Sequence, residues 1–312
     1  LFEFKALFGT APNHAMSIAV TKVLAQNGAY LRTDVAWSAA APTEPAYFLY
    51  YAVQHYFENG GGPCYIHNVA DTATPVTAAR FIAAITAIEA VDEPTLLVFP
   101  DAVKVNDADY GSVVDAALGS CAKMQDRFTI CDVRNAVPGG TVTAANVQAN
   151  FRARVTRNTV DFLKYGAAYF PYVRTLLRFV TDDTAVTLAS CQRVQLQADG
   201  TPGAPAALVP PVAANTTLAA SNLATNETAV FNAVRAFLDA ATVTMPPSAA
   251  VAGLYATTDR VRGVWKAPAN AGLALVTDTA IPVTNDLQDQ LNIDPATGKS
   301  VNAVRTFYGR GT

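Results

Sequence analysis

The sequence predicts a mixed α/β fold, α+β in its details: a mostly parallel sheet flanked by helices, with a smaller β-rich insertion subdomain. Three observations predict it. Between residues 46 and 170, helical periodicities alternate with short apolar runs, the order that crossover connections to a parallel sheet require. Those runs, such as Leu96-Leu97-Val98-Phe99, are apolar without alternation, as in strands covered on both faces. Near residue 172 the pattern turns to Val-, Leu- and Thr-rich segments with no clear helix between them. The expected organisation is a core of 1–171 plus 226–312, and a β-rich protruding subdomain of 172–225 with a flexible loop.

Taken in order, FEFKALFG is a short apolar element ending at Gly9. Asn13 is placed to cap a helix over 14–26, closed by Asn27-Gly28, and 33–46 is Ala/Pro-rich connector. Residues 46–58 bring Phe48, Tyr51, Ala52, His55 and Tyr56 to one helical face, which Asn59-Gly60-Gly61-Gly62-Pro63 must stop. Cys64–Val69 is a strand candidate. Helices follow at 76–90, 107–126 and 143–164, with strands at 96–99, 128–131 and 165–170 between and after them. Segments 173–180 and 185–197 suit a hairpin or small antiparallel sheet, and 198–224 a long loop. Asn226 can cap a helix to about 240, with Val230, Phe231, Val234, Phe237 and Leu238 inward. A strand at 274–276, a helix at 284–291 and a strand at 301–308 complete the chain.

Half of the 312 residues are apolar and only 15% are charged, enough for a large core and fewer charges than a free monomer usually carries. That balance suits either an alanine-rich α/β protein or a subunit whose surface is covered by neighbours. The net charge of −3 argues against a phosphate-dominated nucleic-acid binder. No apolar run reaches the ~18 residues of a membrane span, and no secretory signal opens the chain. The four cysteines, Cys64, Cys121, Cys131 and Cys191, form no C-x-x-C pair and are expected as reduced thiols of a cytoplasmic protein.

Patterns that resemble chemistry each have a structural counterpart. Gly60–Gly62 lie between a helix and a strand, the reverse of a phosphate-binding loop, and serve better as a helix stop. IDPATGKS at 293–300 ends like a P-loop but has Ile293 where glycine is required, so a turn at Thr297-Gly298 with a solvated Lys299 is expected. Cys64 and His67 have ligand-like spacing, but on a strand they face opposite ways, and no second pair completes a zinc site; His14 and His55 are packed or surface histidines. There is no G-x-S-x-G elbow, and Asp92-Glu93 and Asp182-Asp183 lie at turns. Arg152, Arg154 and Arg157 fit a polar helix face or an interface. Asp101 and Asp132 lie at strand ends, where α/β enzymes place ligand groups, and they carry the alternative reading: an enzyme or binding protein for a phosphorylated ligand.

The most distinctive stretch is Met245–Asn270, MPPSAAVAGLYATTDRVRGVWKAPAN. The proline pair Pro246-Pro247 fixes the entry, and small residues through Gly253 let another backbone approach. A charged turn follows with Asp259, Arg260, Arg262 and Gly263, where Asp259 and Arg262 could form a local ion pair; the ending carries Trp265, Lys266, Pro268 and Asn270. By residue type this is a tightly packed junction rather than a reaction centre.

The stretch closely resembles the signature of contractile tail sheath proteins, of phage tails, R-type pyocins and contractile injection systems. The likeness extends to FEFKALFG at 2–9, AVQHYFENGGGPCYIHNV at 52–69, AAYFPYV at 167–173 and VNAVRTFYGRGT at 301–312. Ala249 and Thr257 stand where the family often has Gly and Arg. Asn59, Gly60, Gly61, Pro246, Pro247, Gly253, Asp259, Arg262, Gly263, Trp265, Lys266, Pro268 and Asn270 match family positions and are expected to fix the core. The resemblance implies a virion-type structural part with no catalytic residue, cofactor or metal. It would be assembled in a bacterial cytoplasm into a tail or released particle. Its partners would be copies of itself in a helical or ring-stacked sheath, an inner tube protein, and baseplate and terminator proteins; no nucleic acid and no membrane insertion are implied. Contraction would be a rigid-body change between two packings of one surface. A different capsid or baseplate component with a borrowed domain is a further reading. Relative to the family, the N-terminal arm and the region after 301–308 are expected to be absent, which would impair the strand exchange that laces subunits together.

Overall fold

The computed structural model describes residues 1–70, 74–134, 144–147 and 151–305. In chain order the first elements are α1 (Phe2–Phe8), β1 (Met16–Leu24), β2 (Tyr30–Trp37), α2 (Leu49–Glu58), α3 (Ala78–Ile88), β3 (Leu96–Val98), α4 (Asp107–Met124) and β4 (Phe128–Asp132). Then come α5 (Ala144–Val147), α6 (Val160–Leu163), β5 (Gly166–Phe170), β6 (Val173–Arg178), β7 (Val186–Gln195), β8 (Ala206–Ala207) and β9 (Thr216–Thr217). The chain finishes with α7 (Leu223–Asn226), α8 (Thr228–Asp239), β10 (Thr242–Met245), α9 (Ser248–Arg262), β11 (Val276–Thr279), α10 (Asn285–Asn292) and β12 (Val301–Ala303). No helix among the described residues is long and apolar enough to cross a membrane.

Two compact units result. One comprises Leu1–Gly9, Tyr47–Leu176 and Thr244–Thr312, the other Thr10–Ala46 and Leu177–Val243. Residues 10–46 and 226–243 therefore group with 177–225.

The first unit is built on an all-parallel four-stranded sheet in the order β12-β5-β4-β3. Side chains alternate across a strand, so β4 serves two layers. Ile130 packs against Val251 and Ala252 of α9. Thr129 faces the other way, meeting Leu118 of α4 over Gly166, whose missing side chain leaves room for both. Asp132 shares the Ile130 face, which brings it to the start of α9. A smaller sheet, β10-β6-β11, has β6 antiparallel to β11 with Thr175 opposite Val276.

The second unit is a sheet in the order β2-β1-β7-β8, with β9 also on β7. β1 is antiparallel to β2 and parallel to β7, with Ile18 opposite Leu188. Helix α8 lies beside β2, its Phe237 ring 4.8 Å from that of Trp37. Val230, Val234 and Leu238 bury, while Phe231 and Phe237 are only partly covered.

Several expectations are corrected. Residues 14–26 are the strand β1, because Met16, Ile18 and Val20 bury with a period of two and the β-branched residues favour an extended chain. Asn13 caps nothing; its amide donates to Asp182. Asn27-Gly28 turns the chain into β2, which occupies the start of the expected connector. Residues 64–69 form no strand: Cys64, Tyr65, His67 and Asn68 are exposed. The helix at 143–164 is broken; only Ala144–Val147 and Val160–Leu163 are regular α-helix, and 148–150 lie outside the described residues. β6 and β7 do not pair with each other, because β11 and β1 are better partners. The loop 198–224 contains β8, β9 and a 3₁₀ turn at Ala219–Ser221. α8 starts after Glu227, and Asn226 instead ends α7. The last strand is seen over Val301–Ala303; residues 306–308 lie outside the described residues.

Candidate functional site at the junction of α2 and α9

Pro246 and Pro247 are buried, and Pro247 leads directly into α9. The first turns of that helix, from Ser248 to Gly253, are buried as well. A helix start buried in this way needs acceptors for its free N–H groups. Asp132 supplies one, accepting from the Ser248 N–H at 2.9 Å, and it also accepts from the Ser248 hydroxyl. Asp101 does the same for α2, accepting from the Phe48 and Leu49 N–H groups, the latter at 3.0 Å. Burial pushes Asp132 up to about 7 and Asp101 up to about 6, against the pull of these donors. Both strand-end carboxylates proposed for ligand chemistry are thus occupied by helix N-termini.

A pH dependence follows. Asp132 keeps its proton in the folded state up to about pH 7 but loses it near 3.8 when unfolded. Between those values the folded state binds more protons, so this group's contribution to stability falls as pH rises. Asp132→Asn removes the effect while leaving an acceptor for Ser248. Relative to the unaltered chain, the variant should gain about 2–3 kcal/mol of unfolding free energy between pH 5 and pH 8 in urea titrations. An unchanged difference between the two proteins over that range rejects the assignment.

The packing of α2 on α9 depends on two glycines. A Cβ on Gly253 would collide with the Tyr56 carbonyl oxygen and lie 2.9 Å from Asn59 Cβ. Gly60 has φ +86° and lies against the Thr257 hydroxyl, which donates to the Asn59 carbonyl at 3.0 Å. Gly61 sits under the Tyr56 ring, and the Gly62 N–H donates to the Tyr56 hydroxyl at 3.1 Å. Asn59-Gly60-Gly61 and the stretch from Pro246, 198 residues apart at the Asn59–Thr257 bond, therefore form one junction.

Asn59 also holds the segment beyond α9. Its Oδ1 accepts from the Ala274 N–H at 2.7 Å, and its amide donates to the His55 carbonyl at 2.8 Å. The buried His55 bonds the Ala274 carbonyl through Nε2 at 3.0 Å, while its Nδ1 has no hydrogen-bond partner among the described residues. Burial pulls His55 down to about 4, so the ring is neutral at pH 7 and Nε2 is the donor. The run from Gly263 to Ala274 is consequently fastened at both ends near the end of α2, at Gly253–Thr257 and at Ala274. Between those points it is open: Trp265 is 85% exposed, Val264 80%, and Val261, just before, 70%. The Trp265 ring lies over Gly263. Asp259, Arg262, Lys266 and Asn270 are exposed and Pro268 half-buried. Among the described residues no ion pair joins Asp259 to Arg262, which corrects that expectation. The distinctive stretch is thus half buried junction and half presented surface.

Lys299 of the P-loop-like run is buried, not solvated; its ammonium donates to the carbonyls of Arg152 (2.8 Å) and Val155 (2.5 Å). Arg152 is buried too and caps α10, donating to the carbonyls of Gln290 (3.1 Å), Leu291 (2.5 Å) and Lys299 (2.9 Å), with Asp294 3.8 Å away. Arg157 donates to the Asp115 carbonyl at 2.7 Å and lies 4.4 Å over Phe162, while Arg154 is exposed, so the three arginines share no helix face. His14 packs 4.6 Å from Phe179 and His67 is exposed. No group of three or more His, Cys, Asp or Glu that could hold a metal occurs among the described residues. Sequence reasoning missed the caps of Asp101 and Asp132 and the Arg152–Asp294–Lys299 cluster; most of the partners are backbone groups, and the side-chain partners Ser248 and Asp294 are more than 100 residues away from Asp132 and Arg152 along the chain.

The fold and junction define a mixed α/β protein whose distinctive residues pack helices and present a loop. No protein-family model and no curated protein matches the chain. Among solved structures it is similar to a chain of the anti-feeding prophage baseplate (25% identity, TM-score 0.46, 88% of this chain and 51% of that one). It is also similar to the anti-feeding prophage helical sheath in its contracted state (22%, TM-score 0.45, 97% and 62%). A third is the contracted sheath complex of the extracellular contractile injection system PVC (21%, TM-score 0.48, 96% and 61%). The chain spans between 51% and 62% of these structures' lengths.

Proposed function

We propose that this chain is the core part of a contractile sheath subunit. It polymerises around an inner tube and drives that tube through a target envelope when the lattice contracts. The observation that carries this reading is the meeting of Asn59-Gly60-Gly61 with the run from Pro246 to Asn270 at one helix junction. The second of these is the most specific piece of the sheath-like sequence, and the first belongs to another sheath-like segment. The chemistry supports a mechanical role: the strand-end carboxylates cap helices, the lysine of the P-loop-like run is enclosed by carbonyls, and large apolar side chains such as Trp265 and Val264 are presented to solvent. The partners are further copies of the chain, a tube protein, and baseplate and terminator proteins. Assembly takes place in a bacterial cytoplasm, ahead of incorporation into a tail or released particle, and no catalysis is involved.

The test is negative-stain microscopy of the full-length protein, where short, wide, hollow striated cylinders are expected. A parallel thermal-shift screen with nucleotides and sugar phosphates should leave the melting temperature unmoved, because a ligand held only by the native state would raise it. Dispersed monomers stabilised by such a ligand would sink the reading.

A further inference from the structure

Two exposed patches in the first unit are opposite in charge, and among the described residues neither is paired within its own chain. The first is the presented surface after α9. Arg260, Arg262 and Lys266 alternate in sequence with the exposed Val261, Val264 and Trp265, with Asp259 the one acid in that run. Among the described residues none of those three cations makes a side-chain hydrogen bond or ion pair. The segment is fastened at both ends, so the ordering cost of presenting Trp265 has already been met by folding, as in a preorganised interface anchor.

The second patch is the outer face of α10. Its buried side is Leu291. Asp286 and Asp289, three residues apart, lie together on the opposite side, and Ile293 is the residue that ends the helix. Both aspartates are exposed and Ile293 is 66% exposed. Arg305 bonds the neighbouring Asn285 and Gln288 side chains, at 2.6 and 2.8 Å. The C-terminus of α10 is fixed by Arg152, so this face is rigid as well.

We propose that the Arg260–Lys266 surface of one copy docks on the Asp286/Asp289/Ile293 face of α10 in the next copy. This proposal rests on the reading of the chain as a self-assembling subunit, and it names the contact. Two different patches that fit each other on separate copies make a head-to-tail contact, which propagates rather than closing on itself. Trp265 and Val264 supply the apolar anchor against Ile293, and the opposite charges set register and association rate.

The test uses the full chain in two variants, Arg262→Glu/Lys266→Glu and Asp286→Lys/Asp289→Lys. All four positions are exposed, so both should fold with unchanged circular dichroism. By sedimentation, each variant alone is expected to associate about tenfold or more weakly than the unaltered chain. An equimolar mixture should recover association, in a salt-sensitive manner, because each variant supplies the charge the other lacks. Trp265→Ala in either partner of the mixture should weaken it again. A mixture that stays dispersed, a single variant that associates like the unaltered chain, or uptake by anionic vesicles in place of self-association overturns the proposal. Cylinders formed by the unaltered protein alongside a dispersed mixture would leave the sheath reading standing and remove only this contact.

Discussion

Gly253→Ala is expected to destabilise the chain by about 1–3 kcal/mol, and Gly253→Val by more. The sign is the point. Gly253 is inside α9, and at an exposed helical position the same change to alanine should stabilise by roughly 1 kcal/mol through backbone entropy. Here the new carbon would meet the Tyr56 carbonyl oxygen and Asn59 Cβ. The Tyr56 obstacle is backbone and cannot rotate aside, so α2 and α9 must move apart. Asn59 would move with α2, and Asn59 is what holds Ala274. The expected signature is therefore a lower melting temperature together with faster proteolysis between Gly263 and Ala274. Gly62 has open space where a Cβ would go, so Gly62→Ala serves as the control and should leave both readouts nearly unchanged. A Gly253→Ala chain as stable as the unaltered one would mean that this approach does not set the helix spacing.

How much of this was legible in the sequence depends on where each residue finds its partner. Apart from the strand expected at 64–69, the elements of the first unit between 46 and 132 could be read because their periodicity is local and their stops are explicit. Tyr51, Ala52 and His55 do bury, and Gly60 does turn the chain. β1 was misread because MSIAVTKVL is apolar enough to suit a helix, and Asn27-Gly28 suits a helix stop as well as a hairpin turn. The alternation of Met16, Ile18 and Val20 was the available signal. The pairing of β1 with β7 could not be read, since it joins residues 16–24 to 186–195 in parallel. The distinctive stretch was legible as a packed junction through Gly253. It was not legible that Trp265 would stand in solvent, because residue type alone places a tryptophan equally well in a core or at an interface. Arg152 and Lys299 were misplaced for a related reason. Their hydrogen bonds go mainly to main-chain carbonyls, which no residue type announces, and the nearby acid Asp294 is 142 residues from Arg152 along the chain.

Arg152→Ala is expected to cost about 3–5 kcal/mol, the range for removing one member of a buried charged group. The guanidinium binds the last carbonyls of α10, at Gln290 and Leu291, and the Lys299 carbonyl, with the nearly buried Asp294 carboxylate beside it. Alanine leaves those acceptors without donors, and leaves Asp294 without its nearest opposite charge. Lysine does not repair the loss, because a single ammonium cannot spread over three carbonyls that a planar fork reaches together. Arg152→Lys should therefore recover only part of the stability. Arg154→Ala, at the exposed arginine two residues on, should change it by less than about 0.5 kcal/mol. Hydrogen exchange locates the damage: the amides of Asn285–Asn292 should lose protection first, since α10 is the helix whose end comes undone. The same variant links core to surface. With α10 loosened, Asp286, Asp289 and Ile293 no longer share a fixed face, so association between copies should weaken even though no surface residue has changed. A variant that unfolds more easily yet associates normally would separate the two, and would show that the acidic face does not depend on the arginine beneath it.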